Sequence, residues 1–256
     1  MKKTGAIILC MFMLAALPGL LTGVLPFAAP ERPVQCRMAE AAQGEGGAAG
    51  ASESVQAFVA AAESFFINSI LSSTPWDELG EDDIVPLDPV AQFEWYLRPL
   101  FNLGVSKDSM EREKNSFGWK SVAYEERGNE FRVVCEYADG SSEIYKGTYD
   151  QASDRLLCRL MRGVDSSEGI WADLEFEYMK TDFGYVARVY DALNNVVHKL
   201  AIKGGEGVVS WGETKFDTLH ASMDYPKEGR AWYEISGDRF VLQPWDGPAR
   251  EYKIER

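Results

Sequence analysis

The chain has 256 residues, 46% of them hydrophobic and 12% aromatic, which is enough for one large packed domain or two small ones and argues against disorder throughout. Its 40 acidic side chains outnumber 26 basic ones, for a formal charge of −14, and the cations are dispersed along the sequence. That balance speaks against nucleic acid as a partner and against adsorption to anionic lipid head groups, both of which need clustered cations.

At the N-terminus, Lys2 and Lys3 precede an apolar run from Gly5 to Ala29, broken by Pro18, Gly19, Thr22, Gly23 and Pro26. This is the composition of an export signal. Pro30 obstructs cleavage after Ala28-Ala29, whereas Ala39-Glu40-Ala41 supplies an A-x-A site further on. Residues 1–41 are therefore expected to be a signal peptide or, if uncut, an N-terminal membrane anchor. Either fate puts the protein outside the cytoplasm: periplasmic, extracellular, or tethered to the outer face of the cytoplasmic membrane.

Residues 42–53 are small and polar and read as a flexible linker. A helical segment is expected over 54–116. Val55, Phe58, Val59, Ala62, Phe65, Phe66 and Ile70 recur at helical spacing before Pro75, so a first helix over about 54–72 presents one apolar stripe to a sheet. After an acidic loop, Asp88-Pro89 offers an N-cap and a first-turn proline for a second helix to about Arg98, with Val90, Phe93 and Leu97 on one side. The charged stretch Lys107–Lys114 reads as a connector.

From Phe117 the period switches to two, and turn signals recur every eight to fourteen residues. The expected fold is mainly β: residues 117–256 form an antiparallel meander of about ten to twelve strands, closed into a barrel or open as a half-barrel or sandwich, preceded by two α-helices. A two-residue turn at Asn194-Asn195 pairs Asp191 with His198, and a four-residue loop from Lys180 to Phe183 pairs Tyr178 with Tyr185. One face then carries Ile170, Leu174, Phe176, Tyr178, Tyr185, Ala187, Val189, Leu200 and Ile202. The other carries Trp171, Asp173, Glu175, Glu177, Arg188, Lys199 and Lys203, as a solvated strand face would. A type I′ turn at Asp139-Gly140 sets Cys135 opposite Ile144. Cys158 falls a strand beyond, too far for a disulfide, so both thiols are expected to be buried and free. Strand-like segments at 208–212, 215–223, 230–236, 239–243 and 249–255 complete the count.

No catalytic residue, metal-ligand spacing or cofactor motif stands out. Asp191 and His198 form the sharpest polar pair, since a carboxylate that orients an imidazole is half of a nucleophile-activating arrangement. Ser210 sits one residue out of a G-x-S-x-G elbow. Trp211, Trp232 and Trp245 fall in the last quarter of the chain, where aromatics suit a ligand mouth or a partner surface. The ligand-binding candidates are Asp191, His198, Trp211 and Trp232.

Together these features predict an exported, non-enzymatic protein that binds an apolar or amphipathic ligand, such as a lipid, or a partner chain of the envelope, on a curved sheet. A hydrolase acting on envelope polymers and a membrane-tethered structural module are the alternatives. The general layout looks like that of exported lipoprotein carriers, in which helices plug a curved sheet, and it transfers no residue. N-terminal sequencing of the mature protein is expected to start near Ala42; a start at Met1 would replace the signal peptide with an anchor.

Overall fold

The computed structural model describes residues 48–80, 83, 93, 96–102, 114–163, 169–170, 172–213 and 218–254. The expected leader, the first half of the expected linker, most of the second helix, nearly all of the charged connector and Trp171 lie outside them. Where described, residues 48–75 and 79–254 belong to one compact unit.

The first helix, α1, spans Ala48–Phe65 and continues through a π-helical turn, Phe66–Ile70, into a last α turn, Leu71–Ser73. It therefore begins inside the expected linker. Alanine is the strongest helix former, which favours helix through Ala48, Ala49 and Ala51, and the Ser52 hydroxyl donates to the Phe101 carbonyl, tying that turn to distant chain. The helix stops at Thr74, whose extended backbone suits the residue before Pro75. Of the second helix, Phe93, Tyr96 and Leu97 are helical, and Arg98–Asn102 tightens into a 3-10 turn around Pro99.

Eleven strands follow: β1 (Trp119–Arg127), β2 (Glu130–Tyr137), β3 (Ser142–Asp150), β4 (Arg155–Arg162), β5 (Ala172–Lys180), β6 (Tyr185–Asp191), β7 (Val196–Lys203), β8 (Glu206–Glu213), β9 (Ala231–Ser236), β10 (Arg239–Gln243) and β11 (Arg250–Lys253). They pair in sequence order as one antiparallel sheet with β1 and β11 at its edges. The mainly β meander is as expected. The sheet is not closed, which fits a half-barrel or a sandwich and removes the closed barrel.

Three turns differ from expectation. The β6–β7 loop takes four residues: Asp191 Oδ1 accepts the Leu193 and Asn194 amides at 3.0 and 3.1 Å, and only Asn195 turns left-handed, at φ 52°. Val189 thus faces His198, and Asp191 faces Val196. The β5–β6 loop is Thr181–Gly184, so Tyr178 faces Ala187. Both slips are of two residues, and a two-residue slip keeps every side chain on its face. Leu174, Phe176, Tyr178, Tyr185, Ala187, Val189, Leu200 and Ile202 are all buried on one face. Ile170 precedes β5 and is 49% exposed. At β2–β3 the slip is a single residue. Gly140 alone is left-handed (φ 88°) and Tyr137 N–H bonds Ser141 O, so the loop has three residues and Cys135 faces Glu143 instead of Ile144.

Against the apolar face lies α1, with Val55, Phe58, Phe65 and Ile70 fully buried. Phe58 stacks on Tyr178 at 4.4 Å between centroids and meets Tyr185 and Phe93 edge-on at 5.5 and 4.9 Å. Ser54 donates to Asp154 and shares a 2.8 Å hydrogen bond with Tyr178. Farther along, Ser69 donates to Gly205 O at 2.8 Å in the β7–β8 turn. Phe65 crosses β8 at Gly207, where a Cβ would fall 2.5 Å from its Cζ. Cys135 and Cys158 are buried, free and separated by β3.

The strand expected at 215–223 is not formed by its described residues, 218–223. β8 pairs directly with β9, and residues 218–230 between them stay out of the sheet. They lie across the opposite, outer face instead. Leu219 and Tyr225, from a 3-10 turn at Tyr225–Glu228, pack there on Val186 and Ala201. Phe58→Ala is expected to cost about 3–5 kcal/mol of unfolding free energy, because the ring leaves a void between helix and sheet. Urea denaturation would show it, and Gly207→Ala should also destabilise by forcing Phe65 away from β8.

Candidate functional site

The four expected ligand residues do not converge. His198 and Trp211 are direct cross-strand partners on the helix-covered face, both partly exposed. Asp191 lies on that face too, but its carboxylate is turned into its own loop, accepting Asn194 Nδ2 at 2.6 Å. The Asp191–His198 pair therefore does not form. Trp232 is on the outer face, with the Lys227 ammonium 5.5 Å from its ring centroid. Trp245 stacks with Arg230 at 4.4 Å.

Ser210 is likewise on the outer face, away from His198, in the middle of β8 rather than at an elbow. Its cross-strand partner is Lys199, a nucleophile-and-base combination in principle. Ser210 is 1% exposed, however, and a Cβ at Gly229 would lie 2.9 Å from its Oγ. A substrate carbonyl has no access to that hydroxyl. The thiols are equally sealed: burial pushes the pKa of Cys135 and Cys158 well up, which suppresses the reactive thiolate. Among the described residues no group of three or more His, Cys, Asp or Glu is placed to hold a metal ion.

Two polar clusters escape sequence reasoning. On the helix-covered face Glu143 accepts Tyr137 Oη at 2.9 Å and Tyr145 Oη at 3.2 Å, and lies 2.6 Å from Arg162, whose guanidinium covers Tyr96. On the outer face Glu177 is 1% exposed, although its strand face was expected to be solvated. It accepts Arg188 Nε at 2.7 Å and a fork of bonds from Arg155. Arg188 and Lys199 beside it are buried as well. The 218–229 crossover packs on Val186 and Ala201 of the same face and sets Tyr225 4.3 Å beneath the Lys199 ammonium.

Beyond that crossover the outer face opens into a groove of about 540 Å³ over β1–β5. One cross-strand row runs through it: Glu125, Arg132, Lys146, Arg159 and Glu175, each directly opposite the next. Arg159 forks onto Asp173 at 2.7 and 2.5 Å, and Arg132 lies 3.8 Å from Glu125. Leu157, 37% exposed, supplies an apolar wall. The volume is that of a small-ligand site, and apolar surface next to convergent charge is what an amphipathic molecule requires.

Burial raises the Glu175 carboxyl above its ordinary value of 4.5; the Arg188 guanidinium pulls it back and Glu177 pushes it further up. The folded chain then binds this proton more tightly than the unfolded one. Its contribution to stability falls as pH climbs from 4.5 through the raised folded value, and the loss is complete above it. Glu175→Gln removes that decline: the stability difference between wild type and variant, from urea melts at stepped pH, should shift against wild type across this window and then level off. Glu177→Ala, which strands the buried Arg188, should cost about 3–5 kcal/mol. No family model, curated protein or solved structure matches this chain.

Proposed function

We propose that this is an exported, non-enzymatic binding protein that holds an amphipathic ligand in the outer-face groove. The observation that carries the reading is exposed Leu157 beside a row of opposed charges, in a groove of about 540 Å³. The helix-covered face is a weaker place for a ligand than the sequence suggested, because the chain's own Phe58, Phe65, Phe93 and Leu97 are buried there. The hydrolase alternative loses its Asp191–His198 pair, and the tethered module depends on residues outside those described.

Titration with octyl glucoside and octanoate, followed residue by residue in amide NMR spectra, tests the proposal. Shifts are expected at Arg132, Lys146, Thr148 and Leu157, and Leu157→Asp should abolish them while the rest of the spectrum stays folded. Shifts confined to the α1 side of the sheet, or no shifts with either amphiphile, would refute it.

A further inference from the structure

Lys146 stands directly opposite Arg132 on one side and Arg159 on the other. Like charges in directly opposed sheet positions destabilise one another, and here three stand abreast in a chain whose formal charge is −14. The outer two are answered: Arg159 is forked by Asp173, and Arg132 has Glu125 at 3.8 Å. Among the described residues no carboxylate lies within ion-pair distance of the Lys146 ammonium, which is exposed in the groove. Excess positive charge is thus concentrated at the middle of the row, with acidic residues at both ends.

We infer that the groove selects ligands whose polar end is an anion, a carboxylate or a phosphate, seated on Lys146 and flanked by Arg132 and Arg159, with its apolar part against Leu157. This rests on the groove being the binding site and adds the chemistry it recognises. Along the row, the acidic ends Glu125 and Glu175 penalise an anion placed away from the centre. The chain's overall negative charge gives no long-range attraction, since fields between exposed charges fade within about 8 Å at physiological salt. Discrimination must come from contact, where a charge-assisted hydrogen bond is strong.

The test compares four ligands with the same octyl chain and different heads: octanoate, octyl phosphate, octyl glucoside and octyltrimethylammonium. The anionic pair is expected to bind about tenfold more tightly than the glucoside, as one charge-assisted contact requires. That advantage should shrink with added sodium chloride and vanish in Lys146→Ala. The variant should melt no lower than wild type, because it relieves repulsion from Arg132 and Arg159. In Lys146→Glu the preference should invert in favour of octyltrimethylammonium. At constant ionic strength, inorganic phosphate or acetate should displace the anionic ligands, and the more potent of the two identifies a phosphate or a carboxylate head. If the glucoside binds as well as octanoate and Lys146→Ala changes nothing, the anion site falls while the groove reading stands. If none of the four binds, both fall.

Discussion

The burial of Phe58 against Tyr178, Tyr185 and Phe93 decides which side of the sheet is inside. An eleven-stranded meander has two faces, and its alternating pattern leaves both available until something apolar covers one. α1 does this by crossing the strands from the β4–β5 region, where Ser54 meets Tyr178, to the β7–β8 turn, where Ser69 meets Gly205. Once that face is committed, alternation sends every second residue outward. The glutamates of β5, Arg188 and Lys199 gather there with no choice in the matter.

The outer face is then divided in two. Over β6–β8 the crossover at 218–229 lies on the sheet and Lys199 rests on its Tyr225 ring, while buried Glu177 of neighbouring β5 is held between two guanidinium groups. Over β1–β5 no described segment lies on the sheet in the same way, and the corresponding charges line an open groove. The same residue types are therefore scaffold in one half of the face and candidate chemistry in the other. What separates them is a stretch of chain the pattern had assigned to a strand.

The faces of β5–β7 could be read from the sequence because period-two alternation is insensitive to slips of two residues. The β6–β7 loop is two residues longer than expected and the four-residue β5–β6 loop sits one residue further on, yet no side chain changed sides. The slip at Asp139-Gly140 was of one residue. Asp139 accepts both the amide and the hydroxyl of Ser141, favouring a three-residue loop over the shorter I′ turn, and that exchange put Glu143 inside and Ile144 outside. The ion pair with Arg162 was hidden by that single register. The groove was harder still. Its charged row takes one residue from each of five strands, so four hairpin registers must be right before Arg132, Lys146 and Arg159 are seen as neighbours. In the sequence these cations are simply dispersed, and the Asp191–His198 pair looked better only because one turn separated its members.

Cys135 and Cys158 carry a different consequence. Each is shielded by the sheet that surrounds it, so neither needs a partner while the chain is folded. In an oxidising medium that protection lasts only as long as the fold does. A chain that opens there exposes two thiols with nothing to prevent wrong pairings within or between molecules, and such links would keep it from closing again. Persistence in that medium is then governed by how rarely the molecule opens, a kinetic property, more than by its equilibrium stability.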